Sequence, residues 1–343
     1  MKSFGLWYKA TEETNIESTC LELHVNLWNI NKTPGINKAD AITPFIDFGF
    51  RIKNFRNLDE LRFLIPFTFE DIDLEDLFDK MKEPDSARLI FNDNNCNTAS
   101  ISNTYCIKDL GENSDQLLLM QIKKGKQFTD DIQLEEKFEE EEGFKICSVR
   151  FDKIKANSDF DAYNNVYFRF RINAADLKKI LFCNLEKKNY YLESGFETTQ
   201  IIDLKINKER NLPHDICDSL KGEKFNFMRL HKIHFFVMDS ANNNVTTLGN
   251  DFIECRKLEE KEWISYLDHK YITKDVLVYH WKETENNNES IKEYSKLVKI
   301  TMATTRWELI IIYLGIVVLL SIVGNCLFTW LAHSNLGDFL RLY

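Results

Sequence analysis

The chain has 343 residues, enough for two ordinary domains and an anchor. With 44% hydrophobic and 13% aromatic residues against 12 Gly and 5 Pro, it is neither disordered nor collagen-like nor rich in linkers. Its net charge of -10 repels polyphosphate in bulk, so no nucleic-acid partner is expected.

The N-terminal MKSFGLWYKATEETN has no apolar run long enough for a secretory signal. Leu21, Leu23, Val25 and Leu27 then alternate with polar residues, the period of a half-buried strand. Ile46, Phe48, Phe50 and Ile52 repeat the pattern, as do Leu61 to Phe69, Phe168 to Ile172 and Phe225 to Val237. Short helices are predicted over Asp71 to Lys82, Ala174 to Phe182, Pro213 to Leu220 and Leu258 to Leu267. Pro213 suits a first helical turn, where its missing N–H is not needed. The acidic run DDIQLEEKFEEEE, Asp130 to Glu142, reads as a solvated linker or helix between two halves.

The stretches on either side of that run resemble one another. HVNLWNIN and INKADAI precede the run; VYFRFRIN and AADLKKI follow it in the same order. IDFGFRIKNFRNL is answered by IDLKINKERNL, and LIFNDNNCNT by FFVMDSANNNVT. An internal duplication is therefore expected, with a first strand-rich domain at 1–126, an acidic linker at 127–143 and a second domain at 144–290. The fold class is α+β: a strand-rich region of two related domains, a basic segment at 291–306, a transmembrane helix at 307–332 and a tail at 333–343.

Leu309 to Ala332 holds no charge and spans about 36 Å as a helix, against about 30 Å of bilayer hydrocarbon. Trp307 and Trp330 sit where aromatic rings favour the interface. Lys292, Lys296, Lys299 and Arg306 on the N-terminal side place the large region in the cytoplasm and at the membrane surface. The expected location is a cell inner membrane, crossed once. Ser321, Asn325 and Thr329 recur every four residues with Gly324 beside them, a stripe suited to helix association.

The chemical motifs are sparse. No P-loop, Gly-x-Gly or Gly-x-Ser-x-Gly occurs, which argues against common ATPase, dinucleotide-binding and hydrolase sites and leans away from an enzyme. The eight Cys form no Cys-x-x-Cys and read as buried thiols in a reducing compartment. His231 and His234, and His214 with Cys217, complete no ligand set, so no metal or cofactor is expected. Tyr167, Arg169 and Arg171 share one strand face and form the candidate ligand-binding set; the alternative is cross-strand pairing with acids.

The layout is similar to that of microbial membrane-tethered effectors, including antiviral ones, in which a cytosolic sensor controls a membrane segment. It implies a sensor of a small ligand or protein partner that assembles as a homo-oligomer in the lipid bilayer and perturbs it. The alternatives are a membrane-anchored scaffold or receptor subunit, and a tethered enzyme using Asp47, Asp93, Asp203 and Asp239.

Overall fold

Phenylalanines on alternating strand positions need a second apolar surface, and two large sheets supply it for each other. The computed structural model describes residues 2–11, 18–30, 44–91, 97–100, 104–110, 115–139, 142–185, 197–249, 251–267, 271, 274–286, 289–303 and 307–333. The chain begins with β1 (Gly5–Ala10), β2 (Cys20–Asn29), β3 (Phe45–Lys53), β4 (Leu58–Ile65) and β5 (Leu74–Asp76). Two helices follow, α1 (Phe78–Lys82) and α2 (Pro84–Phe91). Next come β6 (Asn97–Ser100), β7 (Tyr105–Leu110), β8 (Asp115–Met120), β9 (Lys123–Lys124) and β10 (Gln127–Phe128). A hairpin of β11 (Ile132–Glu139) and β12 (Glu142–Arg150) leads to α3 (Asp152–Ala156) and β13 (Asn165–Ile172). Then come α4 (Asp176–Leu181), β14 (Phe182–Leu185), β15 (Glu197–Ile206), α5 (His214–Gly222), β16 (Asn226–Phe227) and β17 (Leu230–Ser240). The last elements are β18 (Asn244–Leu248), β19 (Glu254–Lys257), α6 (Glu260–Leu267), β20 (Val276–Thr284), β21 (Tyr294–Ala303) and α7 (Trp307–His333).

A ten-stranded sheet has the order β19-β20-β17-β2-β3-β13-β8-β7-β6, with β5 also on β13. It is mixed: β17 lies parallel to β2 and β13 parallel to β8, while β2–β3 and β3–β13 are antiparallel. A five-stranded sheet runs β11-β12-β4-β1-β16. Between the two lies the phenylalanine layer. Phe50 stacks on Phe168 at 4.8 Å, Phe48 meets Phe63 edge-on at 4.9 Å, and Phe4 stacks on Phe63 at 5.7 Å. The outer face of the five-stranded sheet is covered by α5, through Ile216, Cys217 and Leu220 against Trp7, Leu64 and Ile146. The second face of the ten-stranded sheet is covered by α1, α2 and α6, through Leu77, Met81, Ile90, Trp263 and Tyr266.

Contacts divide the chain into two compact units, one of Met1–Cys183 with Gln200–Ile300, the other of Asn184–Thr199 with Thr301–Tyr343. The stretches expected as separate domains contribute neighbouring strands to the ten-stranded sheet, β3 beside β13 and β2 beside β17. Their local likeness is uneven. IDFGFRIKN and IDLKIN both form strands that end at a left-handed Asn, Asn54 and Asn207, before a 3-10 turn. Leu89–Phe91, by contrast, is helical where Phe235–Ser240 is strand, and INKADAI lies outside the described residues.

The acidic run forms β11 instead of a linker. Ile132 and Leu134 keep the alternation, and Glu136 stands opposite Lys145 across the hairpin. As the edge strand of its sheet, β11 leaves Glu136 exposed, and charge on an edge strand discourages pairing with another chain. The predicted helix at Asp71 to Lys82 is divided into a 3-10 turn, β5 and α1. The other three short helices fall at α4, α5 and α6, with Pro213 as the residue before α5. The thiols are mixed in burial: Cys106, Cys147 and Cys217 are buried, while Cys183, Cys255 and Cys326 are exposed.

Candidate functional site

Opposite the phenylalanine layer, the central strands carry polar side chains beneath the helices. Register sets Arg51 beside Tyr167, Gly49 beside Arg169 and Asp47 beside Arg171. On the other side of β3, the same residues face Glu22, His24 and Asn26 of β2.

Asp47 is the hub. Arg171 donates from Nε and Nη2 to its two oxygens at 2.7 and 3.1 Å, a bidentate fork. Trp28 Nε1 and the Tyr266 hydroxyl donate to the same carboxylate at 2.9 and 2.8 Å. Burial alone would raise the Asp47 pKa, but the charge and hydrogen bonds of Arg171, with help from Arg169 and Tyr266, hold it below the ordinary carboxylate range. Arg169 is equally buried. Its Nε donates to the Tyr266 hydroxyl at 2.8 Å and its Nη1 to the Tyr167 hydroxyl at 3.2 Å. Its Nη2 has no hydrogen-bond partner among the described residues and lies 3.9 Å from Asp47 Oδ2.

Gly49 makes this crossing possible. A Cβ there would stand 2.3 Å from the Tyr167 hydroxyl and 2.9 Å from Arg169 Nη1, so only a glycine lets both side chains pass over β3.

Beside the cluster runs a row of imidazoles on three adjacent strands. The His24 and His234 rings lie 5.0 Å apart, and His234 Nδ1 is 3.0 Å from His280 Nε2. Burial lowers all three pKa values, reinforced at His24 by His234 and Arg169 and at His234 by His280. His24 lies well below its usual value, and His234 and His280 fall to about 4, so the row is neutral at pH 7. Among the described residues no group of three or more His, Cys, Asp and Glu is placed to hold a metal ion.

Over this floor lies a cavity of about 40 Å³, lined by His24, Asn26, Arg169 and Phe236 and roofed by Ile90 of α2 and Trp263 of α6. A wider groove of about 1290 Å³ opens elsewhere, along Asp71–Asp76, Lys123–Lys126 and Lys145. Two of its lysines are engaged within the wall: Lys145 meets Asp71 at 3.1 Å, and Lys123 donates to the Asp71 and Leu74 carbonyls. Asp76 in its wall accepts the Ile122, Lys123 and Phe78 amides, and burial pushes it up to about 6.

Tyr167, Arg169 and Arg171 thus share the expected face, and the structure brings them together. Arg171 is engaged in the cross-strand pair with Asp47, while Arg169 keeps one unused donor group. Asp203 pairs with Lys205 at 2.6 Å, and Asp239 accepts from Asn29, Asn243 and its neighbour's amide. Asp93 lies outside the described residues, as does Arg306. Of the basic residues expected at the membrane surface, Lys292 is exposed and Lys299 half-buried. Lys296 differs. It sits on the inward face of β21 with its ammonium 5.5 Å from the Trp281 ring, because strand period places it in line with buried Tyr294 and Val298. Tyr266, His24 and Gly49 were not singled out from sequence, although a Gly inside the apolar alternation of IDFGFR signals a close approach.

Ser321, Gly324, Asn325 and Thr329 all stand exposed on α7. The Thr329 hydroxyl donates to the Asn325 carbonyl one turn back at 2.8 Å. No protein-family profile matches this chain, and no curated protein matches it.

Proposed function

We propose that the chain is a membrane-anchored sensor whose strand-rich body faces the cytoplasm and whose α7 self-associates in the inner membrane. One observation carries the anchor. Ile310–His333 is a 24-residue apolar helix of mean hydropathy 2.6, and none of it is buried by the rest of the protein. Lipid supplies the cover that the chain does not. The sensing role draws on the body, where a polar cluster and a cavity lie under helices that a ligand or partner protein can shift. A single span perturbs a bilayer only when assembled, so the effector role requires homo-oligomers. An antiviral setting rests on layout alone.

Cys326 is exposed on α7 next to Asn325 and gives a native reporter of assembly. With Cys20, Cys96, Cys183 and Cys255 replaced by Ser, oxidative cross-linking in membranes is expected to trap a dimer through Cys326. Asn325→Leu with Ser321→Leu is expected to reduce it severalfold. A chain that never cross-links, with or without candidate partners, overturns the assembly proposal.

The Thr329 bond to Asn325 favours a second reading, in which the polar residues serve their own helix and α7 only anchors a scaffold. Exchanging 307–332 for an unrelated apolar helix separates the two: activity retained supports the scaffold.

A further inference from the structure

We infer that the roofed cavity beside Arg169 binds an oxyanion the size of a single phosphate group. The charge balance of the buried cluster comes first. Arg169 and Arg171 are both fully enclosed, and among the described residues Asp47 is the buried carboxylate set against both, while Glu22, buried further along β2, is paired with Arg51. Glu75 approaches Arg171 Nη1 at 3.9 Å from the other side, but its side chain is 39% exposed. Asp47 commits its short contacts to Arg171, Trp28 and Tyr266. Arg169 is left with two tyrosine hydroxyls and a carboxylate oxygen 3.9 Å away. A buried guanidinium in that position retains uncompensated charge, which is costly without a counter-ion.

The second consideration is the orphaned donor. Among the described residues Arg169 Nη2 has no hydrogen-bond partner, and Arg169 lines the cavity together with His24 and Asn26. An imidazole and a carboxamide can both donate, so the three side chains offer the mixed charged and neutral donors that oxyanion sites use. The third is size. A water needs roughly 10–15 Å³ of such space, so a cavity of about 40 Å³ admits a compact oxyanion and nothing as large as a nucleotide. Gly49 contributes by leaving open the strand surface over which Arg169 reaches. Arg256 also lines the cavity but is paired with Glu259, which leaves Arg169 as the lining arginine with an open donor among the described residues.

The site deepens the sensor reading by naming a ligand class. Only the meaning of binding, not the binding itself, rests on that reading. Trp263 lines the cavity and reports on it. Full-length protein in detergent is titrated with inorganic phosphate, then sulfate and acetate, against chloride at constant ionic strength. The expected result is a saturable fluorescence change that disappears in Trp263→Phe, with a Tm that rises with phosphate concentration. Arg169→Met is expected to abolish both effects. If that variant does not fold, Asn26→Leu removes the carboxamide donor without touching a hydrogen bond of the Arg171–Asp47 pair and is expected to bind about tenfold more weakly. Absence of a saturable response to all three anions, or an equal response in the folded variants, overturns the site. Binding that leaves Cys326 cross-linking unchanged keeps the site and counts against the sensor reading.

Discussion

Phe48 and Phe50 in the body are fully buried, whereas Phe328 and Leu319 in α7 stand 74% and 63% exposed. The residue types are alike and their surroundings opposite. In the body, apolar side chains alternate with polar ones, and each apolar face is covered by a sheet or by helices from the same chain. From Ile310 to Ala332 in α7 they run without alternation or charge, so no face is set aside for water, and none of the stretch is buried. The contrast separates a segment that folds by burying itself against protein from one that is long and apolar enough to cross a membrane.

Truncation probes that contrast most strongly. Phe50→Ala removes a ring in contact with Phe63, Phe168 and Phe170, and is expected to cost about 3–5 kcal/mol in denaturant unfolding of the body. Phe328→Ala on the exposed helix is expected to leave that transition in place; a comparable loss would mean that α7 packs on protein. Asp47→Ala tests the polar face. It strands two buried guanidiniums and is expected to cost about 3–4 kcal/mol by the same measurement, whereas an unchanged midpoint would remove Asp47 as the hub. Gly49→Ala drives a methyl into Tyr167 and Arg169 and is expected to cost about 1–3 kcal/mol.

The smallest effect concerns pH. His234 and His280 are depressed to about 4, so the unfolded chain binds more protons than the folded one between about 6.5 and 4, and stability falls as acid is added. Asp76 and Asp239 act oppositely. Burial raises both to about 6, so their contribution is greatest at low pH and is lost as pH rises through 6. His234→Phe removes one of the acid-sensitive groups. Between pH 7 and pH 4 it is expected to lose less stability than the parent in urea titrations, and parallel curves would contradict the assignment.

Local pattern accounts for what was legible in sequence. The period of two located β2, β3 and β13, and the uncharged run located α7, because each signal lies within one segment. The shared face of Tyr167, Arg169 and Arg171 was legible for the same reason. Their partners were not: Asp47 meets Arg171 across 124 residues of chain, and Tyr266 reaches Asp47 across 219. Strand register is a property of the assembled sheet, and β2 lying parallel to β17 brings His24 to His234 without any local sign. Charge counting misled at two places where alternation governed. Ile132 and Leu134 made a strand of an acidic run, and Tyr294 and Val298 carried Lys296 inward.

The most direct test is where the full-length chain partitions. Cells expressing it are lysed, and the membranes are washed with alkaline carbonate and floated on a density gradient, alongside a chain lacking 307–333. The full chain is expected to float with lipid and require detergent for release, while the shortened chain stays in the supernatant. A full-length protein released by carbonate alone would contradict the account.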